Sequence, residues 1–103
     1  MVADGSNPGY PQHLLRLFDR SVGQTFETID QGIRSQDLKV VQRGVHSLKS
    51  SAGQIGALAL AAEAARIESA LRRGELDPPA LPAALRRLQA AQRRFAETVA
   101  ASG

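Results

Sequence analysis

The protein is 103 residues long with a mass of 11.0 kDa, a size that suits one domain around a single core. Its 13 Lys and Arg residues outnumber its 10 Asp and Glu residues for a net charge of +3, and its aromatic residues are three Phe and one Tyr. Because the sequence shows neither a clustered basic face nor a set of stacking aromatics, no nucleic-acid partner is expected. The absence of cysteine excludes disulfide scaffolds, thiolate zinc sites and cysteine nucleophiles.

The first residues differ in composition from the rest of the chain. Residues 1–12 are rich in Gly, Ser, Asn and Pro, and we predict a flexible linker or tail there, with the folded domain at residues 13–103. The segment lacks the basic start and apolar run of a signal peptide, and no apolar run in the chain is long enough to span a membrane. We therefore expect a cytoplasmic protein without membrane insertion.

From residue 13 onward, apolar residues recur every three or four positions in four successive segments, which predicts four amphipathic helices. Asp37 is a predicted N-cap of the second helix, Gly74 a predicted C-cap of the third, and Asp77 a predicted cap of the fourth. The apolar positions are Leu15, Phe18, Val22, Phe26, Ile29 and Ile33; Leu38, Val41, Val45, Leu48, Ala52 and Ile55; Leu60, Ala64, Ile67 and Leu71; and Leu81, Leu85, Leu88, Phe95 and Val99.

The breaks between the segments are short, at residues 35–37, near Gly56 and at about residues 74–77. Short connections place consecutive helices side by side in opposite directions. The predicted fold is therefore all-α, an antiparallel up-down four-helix bundle with a short N-terminal extension, and a monomer is expected.

The second segment contains the strongest candidate for chemistry. With about 100° of turn per residue, His46 falls about 130° from the centre of the apolar stripe, so its side chain is predicted to face solvent. The residues one or two turns away on that face are Gln42, Arg43, Lys49, Ser50 and Gly53.

Small residues beside His46 leave its imidazole accessible, and the flanking cations would attract a phosphoryl group. This pattern is compatible with a phosphoryl acceptor, but periodicity alone favours a surface histidine that is merely exposed to solvent. A hydrolase that uses Ser47, Ser50 or Ser51 is not expected, because no buried carboxylate is evident to orient the imidazole. Gly44 lies nearer the apolar stripe, where close helix packing is the expected reason for a glycine.

The run V-H-S-L-K-S-S-A-G-Q-I-G-A at residues 45–57 resembles the signature of histidine-containing phosphotransfer (HPt) domains, the relay modules of bacterial multistep two-component signalling. The family pattern is approximately A-H-x-L-K-G-x-[AS]-x-x-[ILV]-G. Ser50 stands where the family usually has Gly, and Val45 where it usually has Ala. Residues 64–68 are similar to a small-x-x-[LI]-E stretch in the following helix of the family. The matching positions of the signature are His46, Leu48, Lys49, Ala52, Ile55 and Gly56.

The resemblance implies that His46 is the phosphoacceptor, with Lys49 as a cation near the phosphoryl group and Gln54 as a polar residue that holds the imidazole or the phosphoryl group. Ser50 and Gly53 would leave clearance for a docking receiver domain. Gln42 and Arg43 belong to the same expected partner surface, which also includes the exposed end of the first segment near Leu14.

The implied partner is a response-regulator receiver domain and, in some arrangements, a hybrid sensor kinase. No cofactor or metal of its own is expected, because the magnesium and the catalytic residues belong to the receiver. No ATP site is expected, and none of the glycine-rich phosphate loops is present. The domain would be cytoplasmic, or the cytoplasmic end of a membrane-bound hybrid kinase.

Two alternatives remain open at the level of sequence. One is the substrate domain of a chemotaxis-type kinase, which is phosphorylated by a separate catalytic domain with ATP. The other is an adaptor bundle with an inert histidine.

Overall fold

The structure, a computed structural model, describes the backbone of residues 10–102, together with all their side chains except those of residues 10–12, 14, 15 and 102. Within this range the chain is all-helical and contains no strand, which confirms the predicted fold class. The helices are α1 (Tyr10–Arg34), α2 (Leu38–Ile55), α3 (Leu58–Arg72) and α4 (Leu81–Ser102), and a 3₁₀ turn at Pro78–Ala80 precedes α4.

Helix α1 begins earlier than the composition suggested. It includes residues 10–12, which were predicted to belong to a flexible tail. Pro11 is compatible with this start, because the first turn of a helix does not use its backbone N–H groups for internal hydrogen bonds. The remainder of the predicted tail, residues 1–9, lies outside the described residues.

The ends of the middle helices follow their capping residues. The Asp37 side chain accepts a hydrogen bond from the backbone N–H of Val40 at 3.3 Å, as predicted for the N-cap of α2. Gly56 and Gly74 have φ of 83° and 67°, a conformation that other residues adopt at a cost, and they terminate α2 and α3. Asp77 occupies the predicted N-cap position, at the start of the 3₁₀ turn that leads into α4, but its side chain makes no capping hydrogen bond.

The four helices enclose one apolar core. Helix α1 contacts α2 and α4, and α3 also contacts α2 and α4, so each helix packs against two others. Leu38 departs from the prediction, since it lies at the first position of α2 and stays 42% exposed. The buried apolar residues are Phe18, Val22, Ile29, Val41, Val45, Leu48, Ala52, Ala57, Leu60, Ala64, Ile67, Leu81, Ala84, Leu85, Leu88 and Ala91.

Helix α2 packs closely against α1 because of a glycine at the contact. A Cβ atom on Gly44 would lie 2.6 Å from Cγ1 of Ile29, well inside van der Waals contact. Close helix packing was the reason expected for this glycine, and the contact confirms it. With its apolar side held against the core, α2 presents the opposite side to solvent, and His46 lies on that side.

None of the helices in the described range is both long and apolar enough to cross a membrane.

Candidate functional site

His46 lies near the middle of α2, and its side chain is 55% exposed. This is the orientation predicted from the helical phase. The neighbouring residues Val45 and Leu48 are each 1% exposed and belong to the core. His46 therefore lies on the solvent face of α2, directly beside buried positions.

One ring nitrogen of His46 forms a hydrogen bond with a carboxylate from α3. Nδ1 lies 2.6 Å from Oε2 of Glu68, a side chain that is 4% exposed. An ionised carboxylate only accepts hydrogen bonds, so Nδ1 carries the proton and donates it. In the neutral imidazole the lone pair is therefore on Nε2, and Nε2 is the nitrogen available as a nucleophile.

Glu68 stays ionised although it is buried. A hydrogen bond from Nζ of Lys49 to Oε1, at 2.6 Å, is the largest influence that lowers the pKa of Glu68 below its ordinary value of 4.5. Burial opposes this effect, while the hydrogen bond with His46 and the positive charge of Arg72, 3.2 Å from Oε2, add to it. The site thus contains a buried anion held between two cations and an imidazole.

This arrangement was not predicted from the sequence. No buried carboxylate was expected to orient the imidazole, and Glu68 is such a carboxylate. One sequence signal was available, because Glu68 lies four residues after Ala64 and eight after Leu60 and so shares the apolar face of α3. A lone carboxylate on an apolar face needs a partner.

The hydrolase interpretation is not restored by Glu68. Although the carboxylate and imidazole lie as they do in a catalytic triad, no hydrogen bond joins the hydroxyl of Ser47, Ser50 or Ser51 to His46 in the described part of the chain. A triad requires its nucleophile within hydrogen-bond reach of the base.

An open cleft of about 440 Å³ surrounds the exposed edge of the imidazole. It brings together residues of α2 and α3, among them the predicted Gln42 and Arg43 and two cations that the sequence analysis did not assign, Lys39 and Arg72. The full lining is Lys39, Gln42, Arg43, His46, Glu68 and Arg72. Lys49 belongs to the same site through its hydrogen bond with Glu68.

The remaining predicted residues lie further along α2. Ser50 and Gly53 are exposed, and a Cβ atom on Gly53 would meet nothing within 4 Å. Gln54 is also exposed, about 12 Å along the helix axis from His46, and no hydrogen bond joins the two among the described side chains. Glu68 holds the imidazole, so a role for Gln54 toward a phosphoryl group stays a prediction.

A second groove of about 540 Å³ runs between α1 and α2 beside the site. Arg43 lines both this groove and the cleft around His46. The exposed Leu17 of α1 is 47% accessible, whereas Leu14, which the sequence analysis named for a partner surface, lies outside the described side chains. The groove is lined by Ser21, Gln24, Thr25, Thr28, Val40, Arg43, Gly44 and Ser47.

The described residues form no group of His, Asp and Glu side chains that could hold a metal ion. A family model with the description Hpt domain matches residues 13–97 of the chain, which include all the site residues above. No curated protein and no solved structure matches the chain.

Proposed function

The chain belongs to the Hpt domain family, whose members carry phosphoryl groups in phosphorelays, and we propose that it does so through Nε2 of His46. In this proposal His46 accepts the phosphoryl group from the aspartyl phosphate of a receiver domain and passes it to another receiver domain. The magnesium and the residues that activate the aspartate are supplied by the receiver.

The observation that carries the proposal is the hydrogen bond between His46 and Glu68. It orients the ring, places the proton on Nδ1 and leaves the lone pair of Nε2 unused, on a side chain that lines the open cleft. The nucleophile is thereby preorganised, so little orientational freedom is lost when a receiver docks.

The cations of the site favour the arrival of the phosphoryl group. With His46 neutral, Glu68 carries one negative charge and faces the positive charges of Lys49 and Arg72, which leaves one positive charge in excess. A phosphoryl group with a charge of about −2 would use this excess. Arg43 on the cleft wall would contact the incoming group or its donor.

The partner surface that we propose consists of Gln42, Arg43, Ser50 and Gly53. All four lie beside or beyond His46 on α2, and the space around Gly53 is open. A glycine inside a helix costs about 0.5–1 kcal/mol relative to alanine. No contact within the described chain accounts for that cost at Gly53, which supports a role in the approach of a partner.

The same proposal extends to the arrangement of the whole molecule. We propose an antiparallel up-down bundle, which the short connections between consecutive helices support. We also propose a monomer that works in the cytoplasm of a bacterium, where receiver domains and hybrid kinases operate.

Phosphotransfer from a phosphorylated receiver tests the function directly. The receiver is labelled first, mixed with the protein, and the product is treated with acid and with base. Phosphohistidine survives base and is lost in acid, so we expect a base-stable, acid-labile label on wild type and none on His46→Gln. The same label on His46→Gln would contradict the assignment of His46.

Two outcomes distinguish the alternatives. Labelling that requires a kinase domain with ATP, and never follows from a receiver, would indicate a substrate domain of chemotaxis-kinase type. Absence of label across a panel of receivers and kinases would indicate an inert adaptor bundle.

A further inference from the structure

The contact between Glu68 and His46 has a consequence for the phosphorylated state as well as for the resting one. We propose that Glu68 keeps a proton on Nδ1 after Nε2 has been phosphorylated, so that the phosphoryl group departs from an imidazolium. This inference rests on the proposed function of His46 and concerns how easily the phosphoryl group leaves again.

The bonds in the two transfer steps show why the proton matters. In the first, the lone pair of Nε2 forms the N–P bond, the acyl phosphate P–O bond of the donor breaks, and its electron pair stays on the aspartate carboxylate. The proton on Nδ1 has not moved, so the ring is now a phosphorylated imidazolium. In the second, an aspartate carboxylate oxygen of the next receiver domain forms a bond to phosphorus, the N–P bond breaks, and its electron pair returns to Nε2, which regenerates the neutral imidazole.

Loss of the Nδ1 proton between these steps would change the leaving group. The N–P bond would then break to an imidazolate anion, a far more basic species and a poorer leaving group than neutral imidazole. A carboxylate 2.6 Å from Nδ1 opposes this loss, because it stabilises the positive ring that the proton creates. The burial of Glu68 strengthens the effect, since water screens the charge of this carboxylate less than it would at the surface.

The charges that face the ring favour the same state. From α2 these are Lys49, Lys39 and Arg43, and from α3 Glu68 and Arg72. Lys39 and Arg43 are exposed and therefore largely screened. In the inner set, the charges of a phosphoryl dianion and of Glu68 balance those of Lys49, Arg72 and an imidazolium, whereas a neutral ring leaves the set negative.

Nuclear magnetic resonance of the phosphorylated protein tests the proposal. His46 is loaded with phosphoramidate, a small phosphoryl donor that requires no receiver, and the ¹H–¹⁵N spectra of the ring are recorded at about pH 8, above the ordinary titration range of a histidine. We expect a directly bonded proton on Nδ1 in the wild type and its loss in Glu68→Gln. A glutamine retains the size and the hydrogen-bond acceptor of the side chain but not its charge, so this variant isolates the effect of charge.

Glu63→Gln is the matched control. Glu63 is another carboxylate of α3, but it pairs with Arg66 and Arg87, and among the described side chains it forms no hydrogen bond or ion pair with His46. We expect this variant to keep the wild-type protonation of phosphorylated His46. A ring that is deprotonated in the phosphorylated wild type overturns the proposal by itself, so the decision does not depend on whether Glu68→Gln folds.

The rate of transfer to a receiver provides a second readout. Between about pH 7 and 9 we expect a flat profile in the wild type and, in Glu68→Gln, a rate that falls as the pH rises, by up to about tenfold per pH unit. Parallel profiles would overturn the proposal. Because phosphoramidate loads the histidine chemically, the NMR result stands even if receivers turn out not to be the natural donors.

Discussion

At the scale of single residues, Glu68 is a buried carboxylate that three side chains hold in place. Burying a carboxylate is unfavourable unless charged and hydrogen-bonding partners replace its water. Lys49, Arg72 and His46 supply those partners, with both oxygens of Glu68 engaged. The residue that orients the nucleophile is therefore also one whose environment must be kept intact for the fold.

The lowered pKa of Glu68 predicts how stability depends on acid. Because the hydrogen bond from Lys49 and the other contacts hold this pKa below 4.5, the folded state favours the ionised form more than the unfolded state does. This stabilisation is fully present above about pH 4.5 and is lost as the pH falls through the folded-state pKa. Urea unfolding across the acid range should give a shallower decline for Glu68→Gln than for wild type, and identical slopes would contradict the assignment.

A pair of substitutions two residues apart in α2 separates chemistry from stability. His46→Gln should change the free energy of unfolding by no more than about 0.5 kcal/mol, because the side chain is half-exposed and glutamine can still donate to Glu68. Leu48→Ala should cost about 2–5 kcal/mol, because Leu48 is 1% exposed in the core. Chemical denaturation measures both. Equal losses would show that the helical phase of α2 is wrong.

At the scale of secondary structure elements, α2 contains two glycines with opposite surroundings. Gly44 allows α1 to approach, and an added Cβ atom would collide with the branched side chain of Ile29. Gly53 lies in open space on the solvent side, where nothing within the described chain explains it. Helix packing therefore explains the glycine before His46, while the glycine after His46 leaves open space on the solvent side of α2.

Alanine at these two positions should act in opposite directions. Gly44→Ala should destabilise the protein by about 1–3 kcal/mol, because Ile29 has little room to move. Gly53→Ala should stabilise it by about 0.5–1 kcal/mol, because alanine favours the helix and meets no neighbour. Thermal and urea unfolding of both variants provide the measurement, and a loss of stability in Gly53→Ala would reveal a constraint absent from the structure.

At the scale of the whole molecule, positive side chains are concentrated near His46, although the net charge of the chain is only +3. Lys39, Arg43 and Arg72 line the cleft around His46, and Lys49 pairs with Glu68, the single buried carboxylate that opposes these four positive charges. Receiver domains gather carboxylates around their phosphoacceptor, so the proposed partner surface is complementary in charge. Such complementarity acts chiefly on the rate of association.

Association with a receiver should therefore depend on salt. We expect the association rate constant to fall as ionic strength rises above about 0.1 M, where the screening length is about 10 Å. Arg43→Glu should lower this rate constant and flatten its salt dependence while leaving unfolding within about 0.5 kcal/mol of wild type, since Arg43 is exposed. Stopped-flow mixing at several salt concentrations measures this, and a salt-independent rate would contradict the proposed electrostatic steering.

The sequence alone was sufficient to predict four helices and the exposure of His46 to solvent. Both depend on local information, namely the three-and-four spacing of apolar residues and the capping residues Asp37, Gly56 and Gly74. The start of α1 was predicted too late, because composition suggested a tail for residues that the structure places in a helix. Asp77 occupies the predicted N-cap position, but its side chain makes no capping hydrogen bond.

Only the tertiary structure revealed the partner of the imidazole. Glu68 lies 22 residues after His46, and the two meet only because α3 packs on α2 at a particular register, which the core residues of both helices set together. A rotation of either helix by one position, about 100°, would separate them. Periodicity thus determines which face a residue occupies, whereas the contact that selects Nε2 depends on how two such faces are aligned in space.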